Sequence, residues 1–285
     1  MELGEVLRVD LASAVEAFLA ADARLAVSAC PDDVHDARVA LRRIRSHLRT
    51  FRSLFEPAFL RRVRPDVTWA DSALAAVRDL DVTASRLLAG HDHASARDMA
   101  LLTTLIAKER SEQLRGLAAA RASERFDAAH AALDELATSP VLRGRATRDA
   151  ARALPPLLMR PWHELDASVR AARRSPNDET LHAVRIRTKE LRYGSALASA
   201  VLGDPATHLA EACARLQGHL GREHDAAAAA RWITERSTLC SDASGLCTEL
   251  ARRERRAADE LAATWQKKLK RVDRSWRQLR RASRS

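Results

Sequence analysis

His35-Asp36-Ala37-Arg38-Val39-Ala40-Leu41-Arg42-Arg43-Ile44-Arg45 decides the fold, because its spacing returns in Leu181-His182-Ala183-Val184-Arg185-Ile186-Arg187-Thr188-Lys189-Glu190-Leu191-Arg192-Tyr193. In both stretches a histidine is followed by basic residues three, seven and ten positions later. At about 100° per residue, those four positions of an α-helix fall within roughly 80° of one another. Each stretch therefore predicts a helix with one cationic stripe: His35, Arg38, Arg42 and Arg45 in the first, His182, Arg185, Lys189 and Arg192 in the second. Arg49 carries the first stripe one turn further, so that its five groups span roughly 21 Å of helix. The opposite sides are apolar. Leu41, Ile44, Leu48, Phe51 and Phe55 form one core face, and Val184, Leu191, Ala198 and Leu202 form the other.

A solvated face is the ordinary meaning of a charged stripe on a single helix. Such a face interleaves acids with bases at i+4 spacing, however, and these stripes contain no acid. Uncompensated cations repel one another unless an anion arrives. The histidines stand near their helix starts, after Cys30-Pro31-Asp32-Asp33 and Ser175-Pro176-Asn177-Asp178. Free N–H groups and the dipole there favour a bound anion and disfavour imidazolium. A neutral histidine that donates one N–H, and takes up a proton when phosphate is near, fits that position.

The duplication extends past the stripes. Leu74-Ala-Ala-Val-Arg78-Asp79-Leu-Asp81-Val82 follows the first, and Leu220-Gly-Arg222-Glu-His-Asp225 follows the second. The histidines are 147 residues apart and Asp79 and Asp225 are 146 apart, which points to an internal repeat. Two halves, 1–140 and 141–285, are expected to form one unit without a Gly/Ser linker, each half a helical bundle.

The chain of 285 residues has only nine glycines, nine prolines and 4% aromatic residues, and no run alternates with period two. An all-α fold follows. Breakers divide it into helical segments 2–28, 33–55, 59–89, 95–122, 124–138, 141–154, 162–174, 178–202, 205–238 (broken near Gly218–Gly221) and 241–280. The net charge of +10 favours an acidic partner without naming it: nucleic acid, polyphosphate, anionic lipid and acidic protein all qualify. No run of 18 apolar residues and no signal-type N-terminus is present, so a soluble, cytoplasmic protein is expected. Cys30, Cys213, Cys240 and Cys247 show no zinc-ligand spacing and are expected to be reduced core residues.

Two further basic groups stand out. Arg143, Arg145, Arg148 and Arg152 are spaced to share part of a helix face and are candidates to line the same site. The run from Lys267 to Arg284 carries nine basic residues and one acid, with Trp265, Val272, Trp276 and Leu279 interleaved, as in a solvated helix end or an electrostatic arm. Asp79, Asp81 and Asp225, beside Arg78 and Arg222, are expected to make structural ion pairs that orient the basic side chains. His91-x-His93 lacks a third metal ligand nearby. Phosphate-loop, dinucleotide, zinc-protease and serine-hydrolase motifs are all absent, and nothing argues for catalysis.

The paired histidine motifs, with Arg78-Asp-Leu-Asp-Val82 and Leu220-Gly-x-x-x-Asp225, resemble the CHAD family, named for a histidine-bearing α-helical domain. The resemblance covers nearly the whole chain. It implies two pseudo-symmetric four-helix bundles around a basic central cavity that binds inorganic polyphosphate, and with it an association with polyphosphate granules. By motif, His35, Arg38, Arg42, Arg45, Arg49, His182, Arg185, Lys189 and Arg192 are the ligand contacts, with no cofactor. Tyr193, near His182 on the wheel, is a candidate hydrogen-bond donor. Ala75 stands where the motif tends to have glycine, a matter of local packing. The E-x-E-x-K signature of the triphosphate-hydrolysing domain found in many relatives is absent, so that activity is not inferred. A nucleic-acid binder would use the same charges, although so few aromatics make poor stacking platforms. A metal-dependent phosphohydrolase would need a carboxylate or histidine cluster that the sequence does not assemble.

Overall fold

A computed structural model describes residues 1–89, 95–236 and 244–283. The described residues form an all-α protein: α1 (Leu3–Val27), α2 (Pro31–Thr50), α3 (Pro57–Ala73), α4 (Ala75–Leu87), α5 (Ala96–Arg121), α6 (Glu124–Thr138), α7 (Ala150–Arg174), α8 (Asp178–Leu202), α9 (Asp204–Glu235) and α10 (Ser244–Ala282). Short 3-10 turns follow α2 at Arg52–Leu54 and precede α7 at Gly144–Thr147. His91, His93 and Cys240 lie outside the described residues.

Three segment boundaries differ from expectation. The segment 59–89 is two helices, parted at Leu74, which closes α3 and opens α4. The segments 141–154 and 162–174 are instead a 3-10 turn and one helix, α7, which passes through Pro155, Pro156 and Pro161. Each proline removes one i→i−4 hydrogen bond and crowds the turn before it. Burial of Leu154, Leu158, Pro161, Leu165 and Val169 along the same face offsets that cost. Finally, α9 continues unbroken through Gly218 and Gly221. A helical glycine costs only about 0.5–1 kcal/mol relative to alanine, less than burying Leu216 or Leu220 returns.

One apolar core runs through both halves. In the first, α1 packs on α2 and α6, and α3 on α2 and α6; in the second, α7, α8, α9 and α10 pack in succession. The halves meet where α2 crosses α8, with α7 also against α2. Glycine permits the crossing: a Cβ at Gly194 would stand 2.9 Å from Leu158 Cδ2 and 3.3 Å from Thr50 Cγ2. Leu41, Ile44, Leu48, Phe51 and Phe55 are buried from the first stretch, and Val184, Leu191 and Ala198 from the second; Leu202 is half-buried. With the apolar sides spent on the core, the cationic sides turn toward each other. A smaller cluster joins Leu87 of α4 and Leu102 and Ile106 of α5 to Ile233 of α9 and Leu250 of α10.

Leu191→Ala is expected to lower folding stability by about 2–5 kcal/mol, because Leu191 is fully buried where α8 enters the core. Denaturant unfolding checks this; a loss below half a kcal/mol would remove Leu191 from the packing that sets α8.

Candidate functional site

Each motif histidine is the fifth residue of its helix, in α2 after Pro31 and in α8 after a capping box. There Asn177 Oδ1 accepts from the Thr180 amide at 2.8 Å, and Thr180 Oγ1 accepts from the Asn177 amide at 3.1 Å. His35 and His182 are both half-buried, each with a buried Nδ1 that lacks a hydrogen-bond partner. Burial, then neighbouring cations, holds both rings below the ordinary histidine pKa: Arg78 and Arg42 beside His35, Arg185 and Lys189 beside His182. They are therefore neutral near pH 7 and able to offer an N–H.

All the stripe residues from Arg38 to Arg49 and from Arg185 to Arg192 that were singled out are half-buried; none is a solvated surface charge. The two stripes share one field. Arg42 of α2 is influenced by Arg185 and Tyr193 of α8, and Lys189 of α8 by Arg42 and Arg45 of α2.

Acids missing from the stripes arrive from other helices. Asp71 of α3, only 4% exposed, binds Arg45 and lies 3.6 Å from Arg38 Nε, near enough for charge pairing and too far for a hydrogen bond. Arg38 Nη1 donates to Asp79 of α4 at 2.8 Å, and Arg49 pairs with buried Glu190 of α8 at 3.0 Å. The expected structural ion pairs exist at Asp79 and Asp81, but their partners are Arg38 and Arg110, not Arg78 and Arg222. A helical wheel sees only its own helix, and so could not show Asp71 or the Arg49–Glu190 pair.

What remains unpaired lies in the middle. Arg42, Arg185 and Lys189 make no ion pair among the described residues; Arg42 Nε donates only to the Arg38 carbonyl, and Arg185 Nε is buried without a partner. Burial is the first cause lowering both guanidinium pKa values; Arg38 is the next for Arg42, while carboxylates led by Asp225 partly offset it at Arg185. Lys189 is pushed down to about 8, by burial first and then by Arg42 and Arg185. Arg192 donates to Gln217 at 3.2 Å and lies 5.1 Å from the Tyr193 ring centroid. Tyr193 is buried edge-on to His47 and stands three helical turns from His182, so it belongs to the Arg42 end of the seam.

His224 was not singled out from sequence, although it adjoins Asp225. Its ring lies 4.8 Å from that of His182, and burial followed by Arg185 pushes its pKa down to about 4. With Asp79 and Asp225 it borders a cavity of about 340 Å3 beside α4, α5 and α9. Arg145, Arg148 and Arg152 do not share a helix face: the first lies in the 3-10 turn, the second ends it, and the third opens α7, all lining a different pocket. Among the described residues, no three His, Cys, Asp or Glu side chains are grouped to hold a metal ion, and no helix is long and apolar enough to cross a membrane. Cys213 and Cys247 are buried, and Cys30 is half-buried with Sγ donating to Asp33 at 2.9 Å.

The sequence model of the CHAD domain matches residues 10–234. PptA from Streptomyces chartreusis has a similar solved structure, with a TM-score of 0.75 at 21% identity, covering 95% of this chain and all of that one. The CHAD domain from the plant Ricinus communis superposes with a TM-score of 0.67 at 23% identity, over all of this chain and 92% of that one. No curated protein matches the sequence.

The lysine supplies a pH test. An ordinary lysine titrates at 10.5, so the unfolded chain holds this proton more tightly than the native one, whose Lys189 titrates at about 8. The ammonium therefore destabilises the native state at neutral pH, and that loss fades as pH rises from about 8 to about 10.5. Lys189→Met is expected to melt above the unaltered protein near pH 7 and level with it near the upper limit. Equal melting temperatures at both values would show that the ammonium is not strained in the seam.

Proposed function

The chain belongs to the CHAD family, and on that premise we propose that it binds inorganic polyphosphate without turning it over, along a basic central cavity between α2 and α8. One observation carries this reading: Arg42, Arg185 and Lys189, half-buried and close enough across two helices to feel one another's charge, make no ion pair among the described residues. Enclosed like charges cost stability until a polyanion neutralises them. Extended phosphate chain supplies closely spaced negative charge along the seam, and guanidinium forks take phosphate oxygens in bidentate fashion. His35 and His182 add N–H donors at the ends. Their matched positions, each fifth in its helix with an unpartnered Nδ1, support reading the halves as pseudo-symmetric. Binding without turnover agrees with the engagement of Asp79 by Arg38 and of Asp81 by Arg110.

Nucleic acid fits the seam less well. Single strands are held by stacking bases on open aromatic faces, whereas Tyr193 is buried and has Arg192 over its ring. Competition among long-chain polyphosphate, RNA and duplex DNA at physiological salt separates the two; preferential capture of RNA or DNA would replace polyphosphate as the ligand.

Polyphosphate affinity is expected to fall steeply with added salt, since each neutralised phosphate releases counterions, and orthophosphate is expected to compete poorly. Affinity that stays flat across a salt series would exclude the ionic mechanism.

Arg42→Ala combined with Lys189→Ala is expected to weaken polyphosphate binding roughly a hundredfold or more, each lost charge-assisted contact being worth about 1.5–3 kcal/mol. Stability should hold or rise, because two repelling cations leave an enclosed space. Early melting with undiminished binding in this variant would make the residues structural.

A further inference from the structure

Two basic elements take no part in the α2–α8 seam, the arginines at the start of α7 and the basic end of α10. The fold brings them to one face. A pocket of about 460 Å3 has a floor of Leu3, Leu54, Ala153, Pro156 and Leu157. Arg145, Arg148 and Arg152 line the same pocket, and none of them makes an ion pair among the described residues. Its acid, Asp149, is already committed: Oδ1 accepts from the Arg152 amide at 3.2 Å, and Oδ2 lies 3.7 Å from the amine of Met1. A smaller hollow of about 150 Å3 adjoins it, sharing Pro156, and is bordered by Trp276, Leu279 and Arg280 of α10.

An apolar floor and a cationic rim ask for different things of a ligand. Polyphosphate or orthophosphate would satisfy the rim and leave the floor wet, while a neutral hydrocarbon would do the reverse. A molecule with one anionic head and one chain satisfies both. Guanidinium is weakly hydrated and forks onto carboxylate or phosphate, and each methylene buried on the floor strengthens binding about fourfold. The volume is that of an ordinary small-molecule site.

We infer that this pocket binds an amphiphilic anion, a carboxylate or phosphate monoester bearing a single alkyl or acyl chain. The head sits on Arg145, Arg148 and Arg152, and the chain runs over Leu54 and Leu157 toward Pro156 and Trp276. The site is separate from the polyphosphate seam and does not depend on it.

The whole chain is titrated calorimetrically with dodecyl phosphate below its micellar concentration, beside butyl phosphate and inorganic phosphate. Dodecyl phosphate is expected to bind at least tenfold more tightly than either. Arg148→Ala with Arg152→Ala should weaken it at least tenfold, and Pro156→Asp, which sets a carboxylate between the two hollows, should abolish it with the melting temperature preserved. The seam variant with alanine at 42 and 189 should bind dodecyl phosphate unchanged, which keeps this test independent of the polyphosphate reading. Sedimentation with phosphatidylglycerol and phosphatidylcholine vesicles assigns the source: capture by the anionic vesicles alone, lost in Pro156→Asp, means the chain is taken from a bilayer; binding of monomers alone means a soluble amphiphile. The proposal is overturned by equal binding of inorganic and dodecyl phosphate, or by vesicle capture that survives Pro156→Asp. It is likewise overturned if the Arg148 and Arg152 changes lower polyphosphate affinity and leave dodecyl phosphate untouched, since this face would then extend the polyphosphate track.

Discussion

Two buried carboxylates, Asp71 and Glu190, hold the cationic side of α2 against its neighbours. Asp71 ties Arg38 and Arg45 of α2 to α3, and Glu190 ties Arg49 of α2 and Arg187 of its own helix at the α2–α8 crossing. Without them, Arg38, Arg42, Arg45 and Arg49 of α2 would face the cations of α8 with only Asp79, on Arg38, to offset their repulsion. Removing one partner of a buried ion pair strands a charge and costs roughly 3–5 kcal/mol. The chain therefore neutralises the flanks of the seam internally and leaves its middle open. The arrangement serves packing and, on the proposed function, recognition: paired arginines are held in place by their carboxylates, and Arg42, Arg185 and Lys189 stand between them without an ion pair among the described residues.

Such a seam also explains why the histidines are neutral. Burial and adjacent cations both work against imidazolium at His35 and His182, and at His224 burial, then Arg185, then His182 push the pKa down to about 4. On the proposed function, an arriving polyanion reverses the electrostatic part of that balance. Ring protonation is then coupled to occupancy, as it must be for any group whose pKa depends on a bound charge.

The all-α class and the two core faces were legible in the sequence, because a 3.6-residue period and an almost complete segregation of leucine from arginine leave little choice of orientation. Helix boundaries were less so. Pro155, Pro156 and Pro161 read as breaks, yet a buried face carried α7 through them; Leu74 offered no breaker and still ended a helix. At the site, the stripes were visible and the selection among their members was not. Arg38, Arg45 and Arg49 look identical to Arg42 on a wheel. They differ only because Asp71, Asp79 and Glu190 reach them from α3, α4 and α8. His224 sat one residue from a recognised aspartate, but only the packing of α8 on α9 sets it against His182.

The small cluster joining α4 and α5 to α9 and α10 ties the two halves in the order of synthesis. Leu87, Leu102 and Ile106 emerge early, while Ile233 and Leu250, which cover them, lie more than a hundred residues downstream. At about 5–20 residues per second, that interval is on the order of ten seconds of ribosome time. Throughout it, Leu87, Leu102 and Ile106 have one another but lack the cover that α9 and α10 later supply. Because α9 and α10 close this cluster, it can be completed only once they are made, long after the helices of the first half are available to pack on one another.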